Sequence, residues 1–117
     1  MLRRRFQWRP LLPSDNCTVL TGKLLELAAL RYTPAGVPAR NFRIAHASQQ
    51  IEAGSPRTVE CEMSALALGQ TALLLAGAKP GDGLRLTGFL AAKSLKSRTP
   101  VLHVNEIEFL EGIDHGI

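Results

Sequence analysis

The sequence predicts an all-β fold, a closed barrel of five strands with one short helix inserted between the third strand and the fourth. Three observations lead there. Stretches rich in Val, Leu and Thr, several alternating apolar with polar residues, fill most of the chain between Cys17 and Leu110, as strands with one buried face do. The breaks between them are clusters of Pro, Gly and Ser, which are turn chemistry. A single segment, Ser64 to Ala78, departs from the period of two, with Leu66, Ala67, Thr71, Leu74 and Leu75 at helical spacing.

Taken in order, the first strand runs from Cys17 to about Leu30, with Gly22 where a strand serving both halves of a small barrel must coil sharply. Arg31-Tyr32-Thr33-Pro34-Ala35-Gly36-Val37-Pro38 is a Pro/Gly turn. Arg40 to about Gln50 follows as the second strand, Phe42, Ile44 and His46 on one face and Asn41, Arg43 and Ala45 on the other. Glu52 to Arg57 forms the next turn, after which Val59, Cys61 and Met63 alternate against Thr58, Glu60, Glu62 and Ser64 as the third strand. Ser64 is positioned to cap the helix, Gly69 to weaken it, and Gly77 or Lys79-Pro80-Gly81 to stop it. Gly83 to Lys93 returns to a period of two, with Gly88 marking a bend. The polar loop Ser94–Pro100 leads to a last strand, Val101 to Leu110, whose alternation slips between Leu102/Val104 and Ile107/Phe109. A bulge near Asn105 and Glu106 reconciles the two phases. Three strands, a helix and two strands is the order of the Greek-key oligonucleotide-binding (OB) barrel, whose helix plugs one end.

Within 117 residues, 45% of them hydrophobic, there is material for one core and one domain. We place it at residues 16–111, after a flexible basic arm (1–15) and before a short tail (112–117). Cys17 and Cys61 lack metal or redox spacing, which suits a reduced chain. The longest apolar run, Thr71 to Ala76, is far below the roughly 20 residues of a membrane span. Gln7, Trp8, Arg9 and Pro10 interrupt what would be the apolar part of a signal peptide, so a cytoplasmic location is expected.

Charge is unevenly placed. Arg3, Arg4, Arg5 and Arg9 occupy the arm, and the formal +4 of the whole chain leaves the body close to neutral. Within the body, Arg31 to Arg57 carries four cations against Glu52, and Lys79 to Arg98 five against Asp82. Beyond Arg98 every formal charge is acidic: Glu106, Glu108, Glu111 and Asp114. A barrel built this way has a positive side that a polyanion would choose. Arg43 and Arg57 on or beside the second and third strands, and Lys93, Lys96 and Arg98, three cations in six residues with no acid among them, are candidates for phosphate contact. Tyr32 at the turn and Phe89, out of phase with Leu84 and Leu86, are the candidates for base stacking. Phe42 and Phe109 fall in apolar phases and are assigned to the core. With so few free aromatic rings, phosphate contact is expected to dominate over stacking. His46, His103 and His115 join no nucleophile, base or metal cluster, so neither catalysis nor a cofactor is expected. In the arm, Phe6 and Trp8 alternate with arginines, yet termini of this kind ordinarily carry no role.

Leu20-Thr21-Gly22, Thr33-Pro34-Ala35-Gly36-Val37-Pro38, Cys61-Glu62-Met63, Gly88-Phe89, and Val101-Leu102-His103 with Ile107-Glu108 together resemble the primosomal replication protein N (PriB) family. The likeness runs from about Asn16 to Glu111, and extends to bacterial single-stranded DNA-binding protein. It implies a homodimer that binds single-stranded DNA, contacts the PriA helicase and helps reload the replicative helicase at stalled forks, with no catalysis of its own. In that family a basic residue near the end of the first strand and lysines between strands four and five touch the DNA backbone. The matching positions are Arg31 and, in the loop, Lys93, Lys96 and Arg98. At Glu60 some relatives carry a stacking aromatic, so weaker DNA affinity is implied here. Glu60 and the acidic last strand also motivate an alternative, a protein-interaction scaffold of the primosome that binds DNA weakly.

Overall fold

A strand shared between two neighbours needs a point where another backbone can pass close by, and Gly22 supplies it in β1 (Thr18–Leu27). In the computed structural model, which describes residues 15–111, Thr18–Lys23 pairs antiparallel with β5 (Gly83–Ala92). Lys23–Leu27 pairs instead with β3 (Pro38–Glu52). A Cβ at Gly22 would lie 2.3 Å from the Ala45 carbonyl oxygen, so only glycine permits this change of partner. The arm, apart from Asp15, and the tail lie outside the described residues.

β3 and β4 (Ser55–Leu68) form a long antiparallel hairpin, paired from Ala39↔Leu68 to Glu52↔Ser55. Its connection is only Ala53-Gly54, both at positive φ, as two-residue hairpin turns favour. β6 (Pro100–Leu110) pairs antiparallel with β5 and, over Leu102–Val104, parallel with β4. The strands thereby close as β1-β5-β6-β4-β3-β1, the five-stranded OB barrel expected from the sequence. Thr87 faces Glu106 while Gly88 faces Val104, leaving Asn105 as the extra residue of the expected bulge.

After β4 comes α1 (Gln70–Leu74), continued by a 3-10 turn at Leu75–Gly77. Ala72 and Leu75 are fully buried and pack into a core that includes Leu24, Phe42, Ile44, Leu84, Leu86 and Leu102. No helix among the described residues is long and apolar enough to cross a membrane.

Several details differ from expectation. Ser64–Leu68 is strand, not helix, because it is held by β3 on one side and β6 on the other. Ladder bonding and the burial of Ala65 and Ala67 override the helical propensity of alanine and leucine there. Ser64 therefore caps nothing, and Gly69, at φ 70°, stands at the position that opens α1. Arg31–Tyr32 is a short strand, β2, rather than turn. Its pairing with Pro38–Ala39 is enforced by a compact loop in which the Thr33 N–H donates to Val37 O and the Gly36 N–H to Thr33 O. Cys61 faces solvent, since this part of the hairpin has run beyond the ring and has no core beneath it. Phe109 is 45% exposed instead of core, because the β4–β6 pairing stops at Val104 and the end of β6 is paired on the β5 side alone. Both cysteines are free.

Candidate nucleic-acid interface

The alternation that sends Phe42, Ile44, Ala65 and Ala67 inward leaves Asn41, Arg43, Ser64 and Leu66 on the outer surface of β3 and β4. These residues floor a groove of about 760 Å³. Its walls are the segment that joins β1 to β2 and the loop between β5 and β6, and His103 of β6 lies along it.

Arg31 stands at one wall. Its Nε and Nη2 both donate to Asn41 Oδ1, at 3.2 and 2.9 Å, which holds the guanidinium over the groove without neutralising it. Arg43 lies within, donating to Ser64 Oγ at 3.0 Å and pairing with Glu62. Lys93 is at the opposite wall. The loop that continues to Lys96 and Arg98 is held without help from its cations. The Lys93 N–H donates to Thr99 O, the Ser94 N–H to Ser97 O and the Ser97 N–H to Ser94 Oγ. Lys93, Lys96 and Arg98 are exposed and pair with no carboxylate among the described residues. Five of the eight candidates, Arg31, Arg43, Lys93, Lys96 and Arg98, thus belong to one groove and its bordering loop.

The other three do not line it. Phe89 is on β5, opposite His103. Tyr32 is 61% exposed on β2, beside the groove. Arg57 sits near the tip of the β3–β4 hairpin, opposite Gln50 and paired with Glu52. Arg40 is also structural, its Nε donating 3.0 Å to Ala28 O and so fastening the segment after β1. Sequence reasoning missed Asn41, Leu66 and His103 as groove residues and Glu62 as the partner of Arg43. Only the strand register brings them together, and no local pattern announces it.

On the far side of the β1–β3 junction a second hollow of about 660 Å³ is edged by Lys23, His46, Glu60 and Glu62. His46 is satisfied there, Nδ1–H donating to Thr21 O at 2.7 Å while Nε2 accepts from Ser48 Oγ at 2.8 Å. Two carboxylates against one lysine make this hollow a poor seat for a polyanion.

The Arg43–Glu62 pair is half exposed, so it contributes little stability, but it does occupy a groove cation. Glu62→Gln is expected to leave the unfolding midpoint nearly unchanged and to tighten binding of an oligo-dT strand by roughly three-fold at low salt, as one added phosphate contact would. Fluorescence titration of the two proteins side by side checks this.

A family model described as "Another single-strand binding protein family" matches residues 16–106. Replication restart protein PriB from Bordetella pertussis is 41% identical over 97 residues, covering 83% of this chain and 91% of that protein. The PriB of Nitrosomonas europaea is 37% identical over 95 residues, 81% of this chain and 88% of its own length. Among solved structures, PriB from Ralstonia solanacearum matches with a TM-score of 0.73 at 37% identity, covering 81% of this chain and 98% of that one. The wild-type single-stranded DNA binding protein from Thermus aquaticus matches with a TM-score of 0.67 at 24% identity, over 84% of this chain and 51% of that one, a likeness of fold alone.

Proposed function

The chain belongs to the PriB family of single-strand binding proteins, and from that premise we propose that it is a non-catalytic single-stranded DNA-binding subunit of the replication restart primosome. The observation that supports this most is the groove itself. Lys93 lines it and Lys96 and Arg98 stand on its bordering loop, all three without a carboxylate partner among the described residues, and a fourth cation, Arg31, is held over it by Asn41, against the lining carboxylate Glu26. A flexible polyanion is the ligand such a groove suits, and a duplex is not needed to fill it. Among the described residues no group of three or more His, Cys, Asp and Glu side chains stands close enough to hold a metal ion. The role we assign is to hold single-stranded DNA for the PriA helicase, so that the replicative helicase is reloaded at a stalled fork in the cytoplasm.

A homodimer goes with this reading. Thr18–Gly22 of β1 has β5 along one edge and no strand along the other among the described residues. An open edge of this kind readily accepts a second strand. Light scattering is expected to return about twice the 12.7 kDa of one chain; a mass equal to one chain contradicts it.

The scaffold alternative draws on Glu62, which occupies Arg43, and on Glu60 nearby. Titrating labelled dT oligomers at low and moderate salt, with and without the helicase, separates the two. Submicromolar binding by the isolated protein supports the DNA-binding reading; binding that appears only with the helicase supports the scaffold.

A further inference from the structure

Phe89 of β5 and His103 of β6 are directly opposite in the strand pairing, and their rings stack with centroids 5.2 Å apart and planes 18° from parallel. The pair is on the outside of the barrel. Its inward neighbours Leu86, Gly88, Leu102 and Val104 are buried, whereas Phe89 keeps 37% of its surface open and His103 lines the groove. Nothing in the core requires a phenyl ring at this place.

The register extends the pair into a row. His103 is opposite Leu66 on β4, and Leu66 is opposite Asn41 on β3, where Asn41 holds Arg31. At about 4.8 Å between neighbouring strands, four strands span roughly 14 Å. The row therefore runs from an aromatic pair, over a leucine, to a guanidinium. Lys93 follows Phe89 by four residues along the same chain segment. Cations at the groove walls and an aromatic pair that meets the groove through His103 supply the two components that hold single-stranded nucleic acid: charge for phosphates, π-faces for bases.

Resting on the DNA-binding reading above, we infer that the Phe89–His103 pair is a base-stacking platform, on which one nucleobase of the bound strand lies while the loop cations and Arg31 hold its phosphates. His103 supports the phenyl ring from beside it, so that Phe89 presents a fixed face instead of a mobile one. Every base has a π-face, so the platform takes any sequence. Stacking then contributes more to this protein's affinity than its scarcity of aromatic residues indicates.

The test compares two strands of equal length, oligo-dT and a phosphodiester strand lacking bases, against wild type, Phe89→Ala and Phe89→Trp. The tryptophan variant is made with Trp8→Phe, so that its indole is the only one. Phe89→Ala is expected to weaken oligo-dT binding about ten-fold, within the range of one lost stack, with affinity for the base-free strand and the salt slope unchanged. Phe89→Trp is expected to restore oligo-dT affinity, and its fluorescence to be quenched by oligo-dT but not by the base-free strand. Equal loss on both strands, which a merely structural role would produce, overturns the inference, as does undiminished oligo-dT binding by Phe89→Ala. If the wild type binds neither strand, the DNA-binding reading itself falls and the platform with it.

Discussion

Replacing Gly88 with alanine is expected to destabilise the protein by about 2–3 kcal/mol, as forced overpacking typically does. A Cβ there would lie 1.8 Å from the His103 carbonyl oxygen, 2.8 Å from its carbonyl carbon and 3.0 Å from the Val104 Cα. All three are backbone atoms, so no side chain can swing aside. The clash falls where β6 is least free to retreat, beside the bulge at Asn105 and within the three residues that join β6 to β4 and close the ring. Gly77 is the control. Its φ is ordinary and nothing among the described residues lies within 4 Å of a Cβ built there, so Gly77→Ala should be neutral or stabilising by up to about 1 kcal/mol. Denaturant unfolding followed by circular dichroism reads both. The midpoint should fall for Gly88→Ala and not for Gly77→Ala, with the slope unchanged in each.

The triple substitution of Lys93, Lys96 and Arg98 by alanine is expected to weaken single-stranded DNA binding about 100-fold at 0.1 M salt, and to lower the slope of log affinity against log salt by about 2. Each phosphate contact to a single strand contributes roughly 0.7 to that slope, and these three cations spend no charge on a carboxylate among the described residues. The fold should be untouched, because backbone and serine hydrogen bonds define the loop. Loss should be the same for dT, dC and dA oligomers, since phosphates carry no sequence information. Lys96→Ala or Arg98→Ala alone should cost about five-fold. Arg57→Ala, at the hairpin tip and already paired with Glu52, should change affinity less than two-fold. A loss that depends on base identity would contradict phosphate contact by the loop.

How far the fold can be read from the chain depends on whether its signals are local. Period-two alternation around Phe42 and Ile44, the bend at Gly22 and the slipped phase before Asn105 are each contained in a few residues, and each has its counterpart in the barrel. The start of the helix was not readable. Alanine and leucine at Ala65, Leu66 and Ala67 fit either period, and the decision belongs to partners that arrive from β3 and β6. Phe109 illustrates the same limit, as its apolar phase says nothing about where the ring of strands ends. For the site, unmixed charge marked the Lys93–Arg98 loop, and the family likeness marked Arg31. The Arg31–Asn41 and Arg43–Glu62 contacts and the Phe89–His103 stack depend on cross-strand register. Residues ten to nineteen apart in the chain become neighbours there without any pattern that composition preserves.

The most direct measurement is amide chemical-shift mapping of the ¹⁵N-labelled protein titrated with a short oligo-dT strand. Shifts should concentrate at Asn41, Arg43, Leu66, Phe89, Lys93–Thr99 and His103, and spare Gln50–Arg57 at the hairpin tip and Glu106–Leu110 at the acidic end of β6. Shifts confined to the hairpin tip or to the acidic end of β6, with the groove silent, would show that the strand binds elsewhere and would contradict the account.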